Sequence, residues 1–178
     1  MPRPITGLLL PLLLAACSGG SDASAERTET GATAAPASAN QGQEGDACAL
    51  LTPEEIRAAA GWAPDTMIAK THGTTRTCAI HGADAVKQSI VLIVARPAPK
   101  VSSSAELSER RTRDASRTPE IKMSYTPVEG LGVPAVRAEV EGSPPMLEAV
   151  VGNLGLSVTT PEFEASKTLA SKAVARLR

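Results

Sequence analysis

Five side chains hold most of the reactive chemistry this chain could offer: Cys17, Cys48, His72, Cys78 and His81. Cys48, His72, Cys78 and His81 have the two-cysteine, two-histidine composition of a structural zinc site, but their spacing fits no standard zinc pattern. Thr74 to His81 has the composition of a strand, and Cys78 and His81 stand three apart in it. An odd offset puts them on opposite faces, Cys78 with Arg76 and Ile80, His81 with Thr77 and Ala79. The alternatives are a cross-link between Cys48 and Cys78, or free thiols. No nucleophile elbow, His-Glu-x-x-His or phosphate-cradling Gly-x-x-x-x-Gly-Lys occurs. His72 stands before Gly73 and fits a loop, His81 fits a strand end, and Gly130-Leu131-Gly132 fits a loop before a strand. No catalytic residue, metal or cofactor is therefore expected.

A second cluster is electrostatic. Arg110, Arg111, Arg113 and Arg117 lie on or just after a polar helical stretch, Ser103 to Ser116, which also carries Glu106, Glu109 and Asp114. Pairs Glu106–Arg110 and Glu109–Arg113 at helical spacing favour a solvated face. The sharper alternative is a patch for anionic headgroups or an acidic partner. The whole chain has 18 Lys and Arg against 19 Asp and Glu, a net charge of −1. Nothing there supports a nucleic-acid binder, which shows a basic excess. Aromatic residues make up 2% of 178 residues, so a core must be built from Ala, Val, Leu and Ile. Trp62, the single tryptophan, is expected to anchor that core.

Residues 1–16 have the pattern of a leader. Arg3 is followed by an uncharged, mostly apolar run from Ile5 to Leu14. As a helix that run covers about 15 Å, half a hydrocarbon core, so it suits a secretory h-region better than a membrane span. Leu14-Ala15-Ala16-Cys17 resembles the lipobox of bacterial lipoproteins. The resemblance implies cleavage before Cys17 and a diacylglyceryl thioether on its sulfur, with enough acyl chains to hold the protein at a membrane. It places the protein in the cell envelope. With Ser18 next, that is the outer membrane in a Gram-negative cell and the outer face of the plasma membrane in a Gram-positive one.

From Ser18 to Asp46 there is no Val, Ile, Leu, Met or aromatic residue. Such a stretch buries too little to offset its ordering entropy, so residues 17–46 read as a lipidated cysteine with a disordered, acidic tether. Residues 47–178 then form a single domain. An exported domain sits where thiols oxidise. With Cys17 taken by lipid, Cys48 and Cys78 are expected to form a disulfide, worth about 3 to 4 kcal/mol for a loop of this length.

Within the domain, Thr52-Pro53-Glu54-Glu55 is a helix start, with Thr52 as cap, Pro53 in the first turn and Glu55 completing a capping box. Leu51 and Ile56 are spaced as a hydrophobic staple, and Gly61 ends the helix. Gln88 to Arg96 is apolar on both alternating sets, as for a central strand at least partly covered on both faces. Ile121, Met123 and Tyr125 alternate, as do Val136, Ala138 and Val140, then Leu154, Leu156 and Val158. Gly142-Ser143-Pro144-Pro145 and Gly152-Asn153 are turns between strands. Thr160-Pro161-Glu162 opens a last helix burying Phe163, Ala170, Ala173, Val174 and Leu177, with Leu169 at the edge of that face. The order α-β-β-α-β-β-β-α predicts an α+β fold: an antiparallel sheet of about five strands with helices packed on one face.

This order, with Asp46-Ala47-Cys48-Ala49-Leu50-Leu51-Thr52-Pro53-Glu54-Glu55, Cys78 inside the first strand, Val128-Glu129-Gly130-Leu131-Gly132 and the closing Ala/Leu-rich helix, is similar to bacterial envelope lipoproteins carrying a domain of unknown function, common in actinobacteria. The resemblance supplies no catalytic residue. The expectation is a membrane-anchored, non-enzymatic domain that binds a small ligand or an envelope protein through its sheet. The alternatives are a structural accessory of an envelope complex and a hydrolase with an unrecognised site.

Overall fold

The computed structural model describes residues 46–117 and 122–178. The leader, Cys17, all of the tether except Asp46, and Ile121 lie outside the described residues. Asp46 caps the domain, its carboxylate accepting from the Cys48 amide at 2.8 Å, ahead of a 3₁₀ turn at Ala47–Leu50. Helix α1 (Pro53–Ala60) has the expected start. Thr52 accepts from the Glu55 amide, and the Glu55 carboxylate accepts from the Thr52 amide at 2.9 Å. Leu51 and Ile56 are both buried, closing the staple, and Gly61 ends the helix in the left-handed region at φ 76°.

Seven strands follow, not five: β1 (Thr66–His72), β2 (Thr75–His81), β3 (Ser89–Ala95), β4 (Met123–Pro127), β5 (Ala135–Val140), β6 (Met146–Val151) and β7 (Leu154–Thr159). Helix α2 (Ser104–Ala115) stands between β3 and β4, and α3 (Phe163–Leu177) closes the chain. All seven strands form one antiparallel sheet in the order β1-β2-β3-β7-β6-β5-β4. The α+β class holds, whereas the strand count and order differ from expectation for two physical reasons. Strand β1 is an edge strand exposed along nearly all its length, so Thr-Met-Ile-Ala-Lys-Thr-His shows no apolar alternation. Strand β6 is buried on both faces and lies directly after a Pro-Pro turn, so its run has no alternation and is interrupted by Glu148.

The expected placement of all helices on one face is also corrected. The 3₁₀ turn, α1 and α3 cover the face of Cys78, Ile80, Ile90, Leu92, Val94, Leu147, Ala149, Leu156 and Val158. Helix α2 lies on the other face, where Leu107 packs with Val136 and Val150 beside Tyr125. Its contacts reach β4 and β5 but not β1, β2, β3 or β7. A helix with one fully buried leucine gives a weak pattern, and sequence spacing alone cannot assign it a side.

The core is aliphatic, as the composition requires. Leu169 is 0% exposed and sits at the centre of the α3 stripe with Ala165, Ser166, Ala170, Ala173 and Val174, not at its edge. Phe163 is only half-buried, with the Arg137 guanidinium 4.7 Å from its ring centre. Trp62 is half-buried at the rim of the core, its ring over Gly82, where a Cβ would come within 2.8 Å of it. Glu162 precedes α3 without a side-chain cap; the buried Thr160 hydroxyl donates to its carbonyl. At the other end of α3, Arg176 makes two hydrogen bonds to Glu55, at 2.8 and 2.9 Å, and a third to the Leu50 carbonyl at 2.7 Å. That fork ties the last helix to the first.

Candidate functional site

Cys48 and Cys78 are joined in a disulfide with Cα atoms 4.9 Å apart. Cys78 faces the covered side beside Ile80, and both are 0% exposed. The bond fastens the 3₁₀ turn to β2. Both sulfurs are committed to each other, so neither can act as a thiolate ligand. His81 points to the opposite face of β2. Among the described residues no group of three or more His, Cys, Asp or Glu is arranged to hold a metal ion.

The register of the sheet places residues in rows across that opposite face. One row runs Ile68, Ala79, Val91, Thr159, Met146, Ala138 and Tyr125. The next runs Lys70, Thr77, Ile93, Ser157, Glu148 and Val136. The β5 and β4 ends of these rows lie under α2. From β1 to β7 no helix among the described residues covers them, and the segment carrying Ala98 comes down beside Gly155 at the end of β7. Ala79, Val91, Ile93, Ser157 and Thr159 are half-buried, and Ile68 is 45% exposed. The central strand β3 is therefore sealed on one face only: Ile90, Leu92 and Val94 are 0% exposed, and Val91 and Ile93 remain accessible.

The uncovered half ends at a charged boundary. Arg111 leaves α2 and reaches Glu148 on β6, Nε to Oε2, at 2.6 Å. The carboxylate is 11% and the guanidinium side 34% exposed. The N–H does not point along the line to the oxygen, so this is an ion pair rather than an aligned hydrogen bond. Burial, and then the Glu148 charge, push the Tyr125 hydroxyl above its ordinary pKa. Of the four arginines of the basic cluster, Arg111 is thus withdrawn into the fold. Arg110, Arg113 and Arg117 stay exposed, with Arg117 3.9 Å from Asp114. Glu106 turns to Ser102, accepting from its amide at 2.7 Å and its hydroxyl at 2.8 Å, which holds its carboxyl below the usual range.

The face does not assemble a nucleophile with a base. Ser157 and His81 are separated by β3 and by four register steps, about 13 Å along the strands. His81 Nδ1 is buried without a partner among the described residues. His72 stands exposed at the β1–β2 turn. A cleft of 460 Å³ lined by Lys122, Met123, Glu139 and Glu141, and another of 280 Å³ lined by Ser102, Ser103, Ser104, Gly130 and Gly132, contain neither histidine. The serines of the second cleft serve the fold. Ser103 accepts from the Glu106 amide at 3.1 Å, and Ser104 joins the Val128 carbonyl to the Ala135 amide. Gly130 and Gly132 are the loop before β5, as their sequence predicts.

Glu148 and the β1 edge were missed at the level of sequence. A glutamate inside the apolar run from Met146 to Val151 is the one signal that pointed to a buried charge. No protein-family model matches the chain, and no curated protein matches it.

Proposed function

We propose that this is an envelope protein held to a membrane by lipid on Cys17, whose domain binds another protein, without catalysis, through the uncovered half of its sheet. One observation carries the reading: β1, β2 and β3 present Ile68, Ala79, Val91 and Ile93 on a face that no helix among the described residues packs against, while the opposite face of β2, β3 and β7 is sealed. A half-open apolar face with an exposed isoleucine, Ile68, at its margin is the kind of surface a partner covers. The lipid reading rests on Leu14-Ala15-Ala16-Cys17 and the short apolar run before it. The anchor and the tether would keep the domain near partners at one membrane surface.

Two measurements test this. Intact mass of the membrane-extracted protein is expected to show a chain starting at an acylated Cys17, and Cys17→Ser is expected to release it. A mature form without acyl chains removes the anchor from the proposal. A photo-crosslinking residue at Val91 is expected to give a discrete adduct in intact cells that Ile93→Lys abolishes, whereas the same residue at Thr168, on the exposed side of α3, gives none. Equal adducts at both positions would show that the sheet face has no special role. His72→Ala and His81→Ala are expected to leave the adduct unchanged; its loss in either, with the fold intact by circular dichroism, would redirect attention to a histidine site.

A further inference from the structure

The two edges of the sheet differ in how their backbone groups are satisfied. Along an antiparallel edge strand roughly half the residues turn N–H and C=O outward. Strand β4, at one edge, has five residues, ends in Pro127 and lies against α2, whose Ser108 hydroxyl donates to the Tyr125 carbonyl at 2.8 Å. Ser104 does the same for Val128 just beyond it, at 3.0 Å. Strand β1, at the other edge, has seven residues, contains no proline, and receives no hydrogen bond on its outer side from any described residue. A seven-residue edge without proline and without a covering element is a template for a further strand, and Lys70 on it selects against indiscriminate pairing.

The chemistry of that edge selects its occupant. Strands β1, β2 and β3 contain no carboxylate; Lys70 and His72 are exposed on β1 and Arg96 just past β3, while Asp65 stands exposed just before β1, five residues from Lys70. Ile68, two residues from Lys70 on the uncovered face, presents an apolar side chain beside Ala79 and Val91. A second copy fits poorly. Antiparallel self-pairing centred on Ala69 would set Lys70 opposite Ile68 of the other copy, and pairing centred on Ile68 would set it opposite Thr66; in both registers Lys70 meets no carboxylate. A lipid headgroup supplies charge but not the alternating donors and acceptors that the backbone edge requires. We propose that β1 takes an extended acidic polypeptide segment as an eighth strand, with an apolar residue against Ile68 and a carboxylate against Lys70. This rests on the binding role proposed above and names the element and the partner chemistry that serve it.

Amide hydrogen exchange on the full chain in detergent tests it with three probes: a peptide alternating valine and glutamate, its valine and lysine counterpart, and phosphatidylglycerol vesicles. The valine–glutamate peptide is expected to slow exchange in β1 and leave β4 unchanged, and the valine–lysine peptide to slow exchange in neither strand. Lys70→Glu is expected to weaken the first peptide about tenfold, as for the loss of one favourable charge contact, and to gain binding of the second. Ala69→Pro, which removes a backbone donor from the edge strand, is expected to weaken the acidic peptide while the Cys48–Cys78 bond and slow exchange in β3 report an intact fold. Binding of the acidic peptide that is indifferent to Lys70→Glu would overturn the proposal. So would protection of β1 by vesicles alone, or by protein concentration alone, the mark of a second copy. If Ile93→Lys abolishes the cellular adduct but β1 amides never respond, this inference fails and the face reading stands. If the adduct never depends on Ile93, the broader reading fails.

Discussion

On one face of β3, Ile90, Leu92 and Val94 are fully buried under a layer that includes two helices, a 3₁₀ turn and a disulfide; on the other, Val91 and Ile93 are half-open, and α2 shields only the far side of the sheet. The same strands thus alternate between a surface that holds the fold and one that is left accessible. Side chains on the first face are fixed by neighbours on every side, so removing atoms leaves a cavity. On the second face water already reaches the side chains, and substitution changes little in the folded state. Function can change on the second face without threatening the first.

The contrast sets an order of expected effects. Leu169→Ala, at the centre of the sealed face, is expected to cost about 3 to 5 kcal/mol by chemical denaturation; a loss under about 1 kcal/mol would mean that face is loosely packed. Reducing the Cys48–Cys78 bond is expected to cost about 3 kcal/mol, seen as a lower melting temperature, with the amides of the 3₁₀ turn and α1 exchanging before those of α3. Equal exchange in all three would show that the bond acts on the whole domain rather than on its first segment.

At the boundary between covered and uncovered sheet, Arg111→Ala is expected to cost about 1 to 3 kcal/mol, because it strands the Glu148 carboxylate. The double change Arg111→Met with Glu148→Leu is expected to recover most of that loss. If the double variant is no more stable than the single one, the pair does more than satisfy buried charge.

The fork between α1 and α3 gives a pH signature. Arg176 holds the Glu55 carboxyl below its ordinary pKa, helped by the Thr52 amide. The stability this contributes is complete above the unfolded carboxyl value, about 4.3, and is lost as pH falls through the lower folded value. The stability difference between the natural chain and Glu55→Gln should therefore shrink on acidification, and a difference that is constant with pH would contradict the fork. The smallest effect is expected on the uncovered face: Ile68→Thr should change stability by no more than about 0.5 kcal/mol. A larger loss would place Ile68 in the packed part of the fold and remove it from the docking edge.

The elements read most directly from the sequence are those fixed by neighbours within a few residues. Thr52, Pro53, Glu55 and Gly61 bound α1 because caps and left-handed turns are local chemistry. Gly152-Asn153 joins β6 to β7, and the alternation in Ser89–Ala95 follows from the two-residue period of a strand. The pairing of Cys48 with Cys78 was also within reach, since only two cysteines remained in the domain once Cys17 was read as the residue that takes lipid. Strand β1 was not legible, because an edge strand borrows its structure from β2 and keeps no apolar side of its own. Strand β6 was hidden for the opposite reason: with both faces buried it shows no alternation, and Glu148 interrupts it.

What the sequence determined alone is therefore local: where helices start and stop, which strands are apolar, and which two cysteines can meet. Only the tertiary structure decided which face each helix covers. Leu107 is one buried residue on a polar helix, and its side of the sheet depends on the path from β3 through Ala98 and Val101 rather than on any spacing within α2. Because α2 crosses to the second face and lies over β4, β5 and the adjoining side chains of β6, the β1 side of that face stays open and Arg111 is drawn away from the other arginines to Glu148, while the strand order leaves the outer edge of β1 unpaired. Those three features place the candidate site. They depend on contacts between segments far apart in the chain, which a local pattern of residues does not encode.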